Sequence, residues 1–179
     1  MRAAEDLNQR FALPGEVEFK VAGHGALVAQ VTHAQGSGSV ACQGAQVLTW
    51  APAGQPPVVW LSTDARFQAT KSLRGGIPVC WPWFGAHAQD PAKPAHGFAR
   101  NLDWEVRETA STPEGTRIVI GFTPGEAQRA LWPHAADLTL AVTMGKALDL
   151  TLTTRNRGNE PLAITQALHE LDELSAVTM

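Results

Sequence analysis

Charge is scarce in this chain. Only 17% of its 179 residues are Asp, Glu, Lys or Arg, and the formal net charge is −3. A balance so near neutrality supplies no global pull towards nucleic acid or an anionic membrane, so any anion must be recognised locally. Long apolar runs are missing as well. No stretch reaches the roughly 20 residues that a membrane helix needs, and the N-terminal MRAAEDLNQRFALPGEVEF has no apolar signal core. The expectation is a cytoplasmic protein with neither a membrane nor a nucleic-acid partner. Cysteine is limited to Cys42 and Cys80, which in a reducing compartment are expected as free thiols. The six histidines and two cysteines show no HxxxH, HxH or CxxC spacing, so nothing marks a metal site. Gly75-Gly76 is not a GxGxxG and opens no helix, which argues against a nucleotide fingerprint. No solenoid repeat is present.

What remains is a chain with 44% hydrophobic residues, long enough for one domain with a real core. Its dominant pattern has period two. Val17, Phe19 and Val21 alternate with Glu16, Glu18 and Lys20; Leu27–Val31, Val40–Cys42 and Ala45–Trp50 continue in the same style. The Gly-Ser cluster at 36–39 reads as a turn, Gly44 as a candidate bulge, and Val58–Leu61 as a short strand. Further on, Leu102, Trp104 and Val106, then Ile118, Ile120 and Phe122, then Leu138 to Met144, and Leu148 to Leu152 repeat the alternation. Leu162–Leu168 reads as a last apolar run. Helix is expected only as a turn within 3–12 and over 124–131, where Pro124 and Glu126 suit a first turn. Short strands separated by Gly/Pro turns point to an all-β fold, an antiparallel β-sandwich.

One stretch breaks the pattern: RGGIPVCWPWFGAHAQDPAKPAHGFAR, residues 74–100. Its glycines permit positive φ or close backbone approach, and its four prolines remove amide donors and fix φ. Trp81, Trp83, Phe84 and Phe98 argue against disorder. A long ordered loop inside a compact domain is usually functional. Arg74 and Arg100 bracket it. Guanidinium groups bind phosphate bidentately and stay charged at any working pH, although solvated arginine is the ordinary state on a surface. His96 alone reads more simply as a structural residue than as a ligand, and His24, His33 and His87 as surface residues. Trp81, Trp83 and Trp104 suit sugar stacking or core, with core favoured for Trp104 in its alternating strand.

RGGIPVCWPWFG followed by HGFAR and Trp104, with WLS at 60–62, WPH at 132–134 and TQALH at 165–169, resembles the glucose-6-phosphate 1-epimerases. These form the hexose-6-phosphate branch of the aldose 1-epimerase (galactose mutarotase-like) superfamily. The resemblance runs from about Glu16 to His169. It implies the large galactose mutarotase-like sandwich and a cofactor-free, metal-free interconversion of the α and β anomers of glucose 6-phosphate. It also implies roles: His169 as the catalytic acid, His96 as partner of a sugar hydroxyl, and Arg74 and Arg100 on phosphate or neighbouring oxygens. His134, within WPH, is expected to be structural. Some members carry glutamine before the HG pair; Ala95 stands here. The family's general base, a glutamate, and a substrate-binding aspartate lie well downstream of this histidine, whereas the present chain has ten residues after it. Glu170 and Leu171 replace an aromatic pair, and Glu170, Asp172 and Glu173 read as a solvated charged end. The expectation is a single domain over 1–179 that is the N-terminal portion of an epimerase, inactive alone and prone to self-association through an exposed sheet edge. Two other readings stay open on the residues themselves: a non-catalytic carbohydrate-binding sandwich and, further off, a metal-dependent cupin-like enzyme.

Overall fold

A computed structural model describes residues 2–169. Helix α1 (Arg2–Phe11) precedes four strands, β1 (Val17–Val21), β2 (Leu27–His33), β3 (Gly36–Ala41) and β4 (Val47–Pro52). They pair in sequence order as an antiparallel meander. A second meander follows the long loop: β6 (Glu105–Thr112), β7 (Gly115–Phe122), β8 (Ala136–Gly145) and β9 (Leu148–Asn156), with the short helix α2 (Glu126–Leu131) between β7 and β8. Between the meanders lies β5 (Val79–Cys80). It pairs with β10 (Ala167–Leu168) through Cys80 with Ala167 and Val79 with Leu168.

The two meanders pack face to face, with β2 against β7 and β3 against β8. Their inward rows, among them Phe19, Val31, Val40, Ile118, Ile120, Leu138 and Leu140, form one buried core. This is the expected antiparallel sandwich. The first sheet is covered on its other face too. Val28, Ala41 and Leu48 meet Ala65 and Leu73 from residues 53–78, which hold their place through isolated bridges such as Trp50 with Val59 and Val47 with Ile77. Helix α1 closes an edge. The Asn8 side-chain amide donates to Phe19 O at 2.7 Å, and its Oδ1 accepts the Phe19 N–H at 2.7 Å, giving edge strand β1 the partner it would otherwise lack.

Three local expectations need correction. Residues 36–39 are strand, not turn. A Cβ on Gly36 would press on the Gly145 carbonyl, and one on Gly38 on Thr49 O and Met144 Sδ. The small residues there let the two sheets approach. The bulge sits between Ser39 and Val40 instead of at Gly44. Val58–Leu61 and Leu162–Leu168 are apolar without being full strands: the first contributes single bridges, and the second pairs only at 167–168. Leu162 and Ile164 still pack on the core, so burial accounts for their character without a ladder.

Candidate active site

Trp81 anchors the loop. It is fully buried, with Trp132 at 4.8 Å and Phe98 at 5.7 Å between ring centroids, and its Nε1 donates to Thr154 Oγ1 at 3.1 Å. Its carbonyl accepts the N–H groups of Phe98 (3.1 Å) and Ala99 (3.3 Å). Gly97 crosses directly over that carbonyl with φ of 71°, and a Cβ there would collide with it. Here the motif glycine has a physical cause: only a residue without Cβ both tolerates this φ and fits the approach.

Crossing Trp81 this way positions His96. The residue has φ of 66°, an uncommon conformation for a side-chain-bearing residue and one associated with functional strain. Two hydrogen bonds fix it. Its N–H donates to Gly85 O at 2.7 Å, and its Nδ1 accepts the Gly85 N–H at 3.2 Å. An accepting Nδ1 leaves the ring proton on Nε2. Burial, then the Arg100 charge, then His169 push the His96 pKa below the usual histidine value, so the neutral ring is favoured.

His169 arrives from the far end of the described chain. The β5–β10 pairing and a bond from the His169 N–H to Pro78 O (3.1 Å) set it beside the loop. Its ring lies 6.0 Å from that of His96, with 22° between planes. Phe84 touches both, at 5.0 Å from His96 and 5.7 Å from His169, and is 44% exposed. Thr165 holds the wall from behind: its Oγ1 accepts the Phe84 N–H at 3.0 Å, while its own N–H donates to Pro82 O at 3.1 Å.

Arg100 completes the cluster. Its Nη2 donates to Ala95 O at 3.1 Å, and its buried Nε has no partner among the described residues. Arg74 is exposed, with its carbonyl accepting the Ser62 N–H at 3.2 Å. The ring and charge contacts described above join His96, Arg100 and His169, and Arg74 is not among them. Glu170, Asp172 and Glu173 lie outside the described residues.

Sequence reasoning missed Phe84 and Thr165. It left Trp81 and Trp83 open between sugar stacking and core and favoured core for Trp104; all three are buried. The available signal for Phe84 was its place beside Gly85, where the backbone turns outward. Cys42 and Cys80 are free and buried, and burial with the Asp103 charge pushes the Cys42 thiol up to about 12. Neither is poised as a nucleophile. His134 is exposed and lies 4.7 Å from the Trp132 ring. A separate cavity of about 550 Å³ beneath α1, bordered by Leu7, Arg10, Phe67 and Asp103, includes none of the cluster. Among the described residues no three His, Cys, Asp or Glu side chains group as a metal site, and no helix is long and apolar enough to cross a membrane.

Comparison with known proteins gives this geometry a context. Residues 19–174 match the aldose 1-epimerase family profile. A protein of Escherichia coli K12 named "Putative glucose-6-phosphate 1-epimerase" is 40% identical over 139 residues, which cover 78% of this chain and 46% of the relative. A Salmonella typhimurium protein of the same name matches to the same extent. Among solved structures, a "putative mutarotase" from Salmonella typhimurium superposes with a TM-score of 0.80 at 35% identity, covering 89% of this chain and 52% of that one. A galactose mutarotase-like protein from Lactobacillus casei shares the fold, with a TM-score of 0.60 at 17% identity. The chain thus spans about half the length of the relatives it matches. On its sequence, its sandwich and these relatives, it belongs to the aldose 1-epimerase family.

Proposed function

We propose that this chain carries the acid-bearing, substrate-binding part of a hexose-6-phosphate 1-epimerase, with glucose 6-phosphate as the substrate. The observation that carries the reading is the convergence of His96 and His169 on the partly exposed ring of Phe84, with the Arg100 charge acting on His96. Names given to relatives that are 40% identical support the phosphorylated sugar.

The chemistry needs little more. His169 donates a proton to the ring oxygen as the anomeric hydroxyl loses its own. The bond from C1 to the ring oxygen breaks and C1 becomes an aldehyde. Rotation about C1–C2 presents the other face, and the reverse transfers close the ring as the opposite anomer. Neutral His96, with its proton on Nε2, donates to a sugar hydroxyl. Arg100, with Arg74, takes the phosphate or adjacent oxygens. No metal or cofactor enters these steps.

A base must oppose His169. Among the described residues the charged groups that act on His96 are Arg100 and His169, neither of which is a carboxylate. In this reading the base is the downstream glutamate that the resemblance implies, and the 179-residue domain alone binds substrate without turning it over.

Calorimetric titration with glucose 6-phosphate and glucose tests the binding half. The phosphorylated sugar should bind at least roughly tenfold more tightly, since charge-assisted hydrogen bonds to the phosphate are lost in glucose. Arg100→Lys should remove about tenfold, because lysine keeps the charge without the planar fork. Equal affinity for both sugars would reassign the site to unphosphorylated aldoses, and binding of neither would end the proposal.

A further inference from the structure

His96 and His169 come from distant parts of the chain, and one hydroxyl touches the supports of both. Trp81 supports the first. Its carbonyl is crossed by Gly97, next to His96, and its ring is held among Trp132, Phe98 and Phe122. Residues 165–169 support the second. Their backbone is tied to the loop by the β5–β10 pairs and by the bonds of Thr165 N–H to Pro82 O and His169 N–H to Pro78 O. A side-chain tie comes from Thr154, in the half-buried row of β9. Its Oγ1 accepts the Trp81 indole N–H at 3.1 Å and lies 3.2 Å from Gln166 Oε1. An indole nitrogen only donates, so a lone pair of the hydroxyl is engaged there and its one proton goes to Gln166. The relay therefore has a single polarity, from Trp81 through Thr154 to the Gln166 carbonyl oxygen.

We infer that Thr154 is a positioning residue: it fixes Gln166, and with it β10 and His169, against the same Trp81 that places His96. The inference rests on the proposed function for what the two histidines do, and on the hydrogen bonds alone for how they are held together. Packing decides which end of the relay stays put. Trp81 is fully buried among aromatic rings, whereas β10 pairs with β5 at only two positions. Loss of the relay therefore loosens β10 and leaves the loop in place. The polarity decides which substitutions preserve it. Serine at 154 keeps both the acceptor and the donor, and glutamate at 166 keeps an acceptor with added charge. Valine at 154 and methionine at 166 remove the link.

Amide exchange followed by NMR on the whole chain tests this. The His169 ring protons are a second probe, because they lie near the Phe84 and His96 rings. Gln166→Met leaves the bond between Trp81 and Thr154 intact. It should speed exchange at Thr165 and His169 roughly two- to tenfold, the net contribution of one hydrogen bond, and move the His169 ring signals towards free-histidine positions. Phe98, Ala99, Ile118 and Leu140 should exchange as in the wild type. Thr154→Val should loosen β10 at least as much and also shift the Trp81 indole signal, while Thr154→Ser and Gln166→Glu should restore wild-type exchange. Far-UV circular dichroism identifies any variant that fails to fold. Titration with glucose 6-phosphate keeps the two readings apart, and Gln166→Met should weaken binding by the same factor. If the wild type binds the sugar while Gln166→Met leaves His169 exchange unchanged, the inference is overturned and the proposed function stands. The expected exchange pattern without sugar binding would do the reverse. Acceleration by Gln166→Met spread evenly over Ile118 and Leu140, or no rescue by serine and glutamate, would mark a merely structural contact and also overturn the inference.

Discussion

His96 is held neutral by burial, by the Arg100 charge and by His169, all of which lower its pKa. Between that lowered value and the ordinary 6.5 the unfolded chain binds more protons, so stability rises with pH. The contribution is complete above pH 6.5 and is lost as pH falls through the lowered value. His24, lowered by burial, acts in the same sense. Urea midpoints should therefore drop on acidification below 6.5, and His96→Asn should flatten part of that slope. Asparagine suits the test because it tolerates positive φ and offers Gly85 an acceptor. Phe84→Ala makes a second test: affinity for glucose 6-phosphate should fall about three- to tenfold with the loss of a ring contact. Stability should change by about 1 kcal/mol or less, since Phe84 lies outside both buried clusters. His96, His169 and Arg100 could be singled out only through the motifs that carry the family resemblance; on their own residue types the ordinary structural readings were simpler. Phe84 was not singled out, since exposure of one of the three aromatics in residues 81–84 depends on where the loop turns, and composition does not record that.

Strands were legible wherever one face is buried and the other wet. Val17–Val21 and Leu148–Leu152 show the alternation plainly, and the register follows. The reading failed at residues 36–39, where glycine and serine serve close sheet packing instead of a turn; sequence cannot separate those two uses of a small residue. Gly38→Ala should make the distinction measurable. Added volume against Thr49 O and Met144 Sδ should cost about 3 kcal/mol in urea denaturation, whereas a turn glycine at negative φ would cost far less. The β5–β10 element invites a different measurement. It holds only two residue pairs, against eight between β7 and β8. Amide exchange at Thr165 and His169, whose N–H groups bond Pro82 and Pro78, should be much faster than at Ile118 or Leu140. Equal protection would mean that the site opens only when the whole domain does.

At the scale of the whole molecule, the chain covers about half of its relatives' length while forming a sandwich with its own core. Fusing it to the downstream half of the Escherichia coli relative should produce exchange between glucose 6-phosphate anomers above the spontaneous rate, visible as cross-peaks in two-dimensional NMR. His169→Asn in that fusion should abolish it, given that general acid–base groups contribute roughly 100- to 10,000-fold. Fold class and family were legible because alternation and motif order survive in any aligned segment. Assembly of the site was not, because it depends on a pairing between residues 79–80 and 167–168 that no local pattern announces. That pairing also orders events in time. Every neighbour in the two large sheets is a neighbour in sequence, so each hairpin can close as soon as it leaves the ribosome. His96 and Arg100 emerge early and then wait for the last described residues to bring His169 back to them. A translation product halted just before Thr165 would keep both sheets and leave His96 and Arg100 without His169.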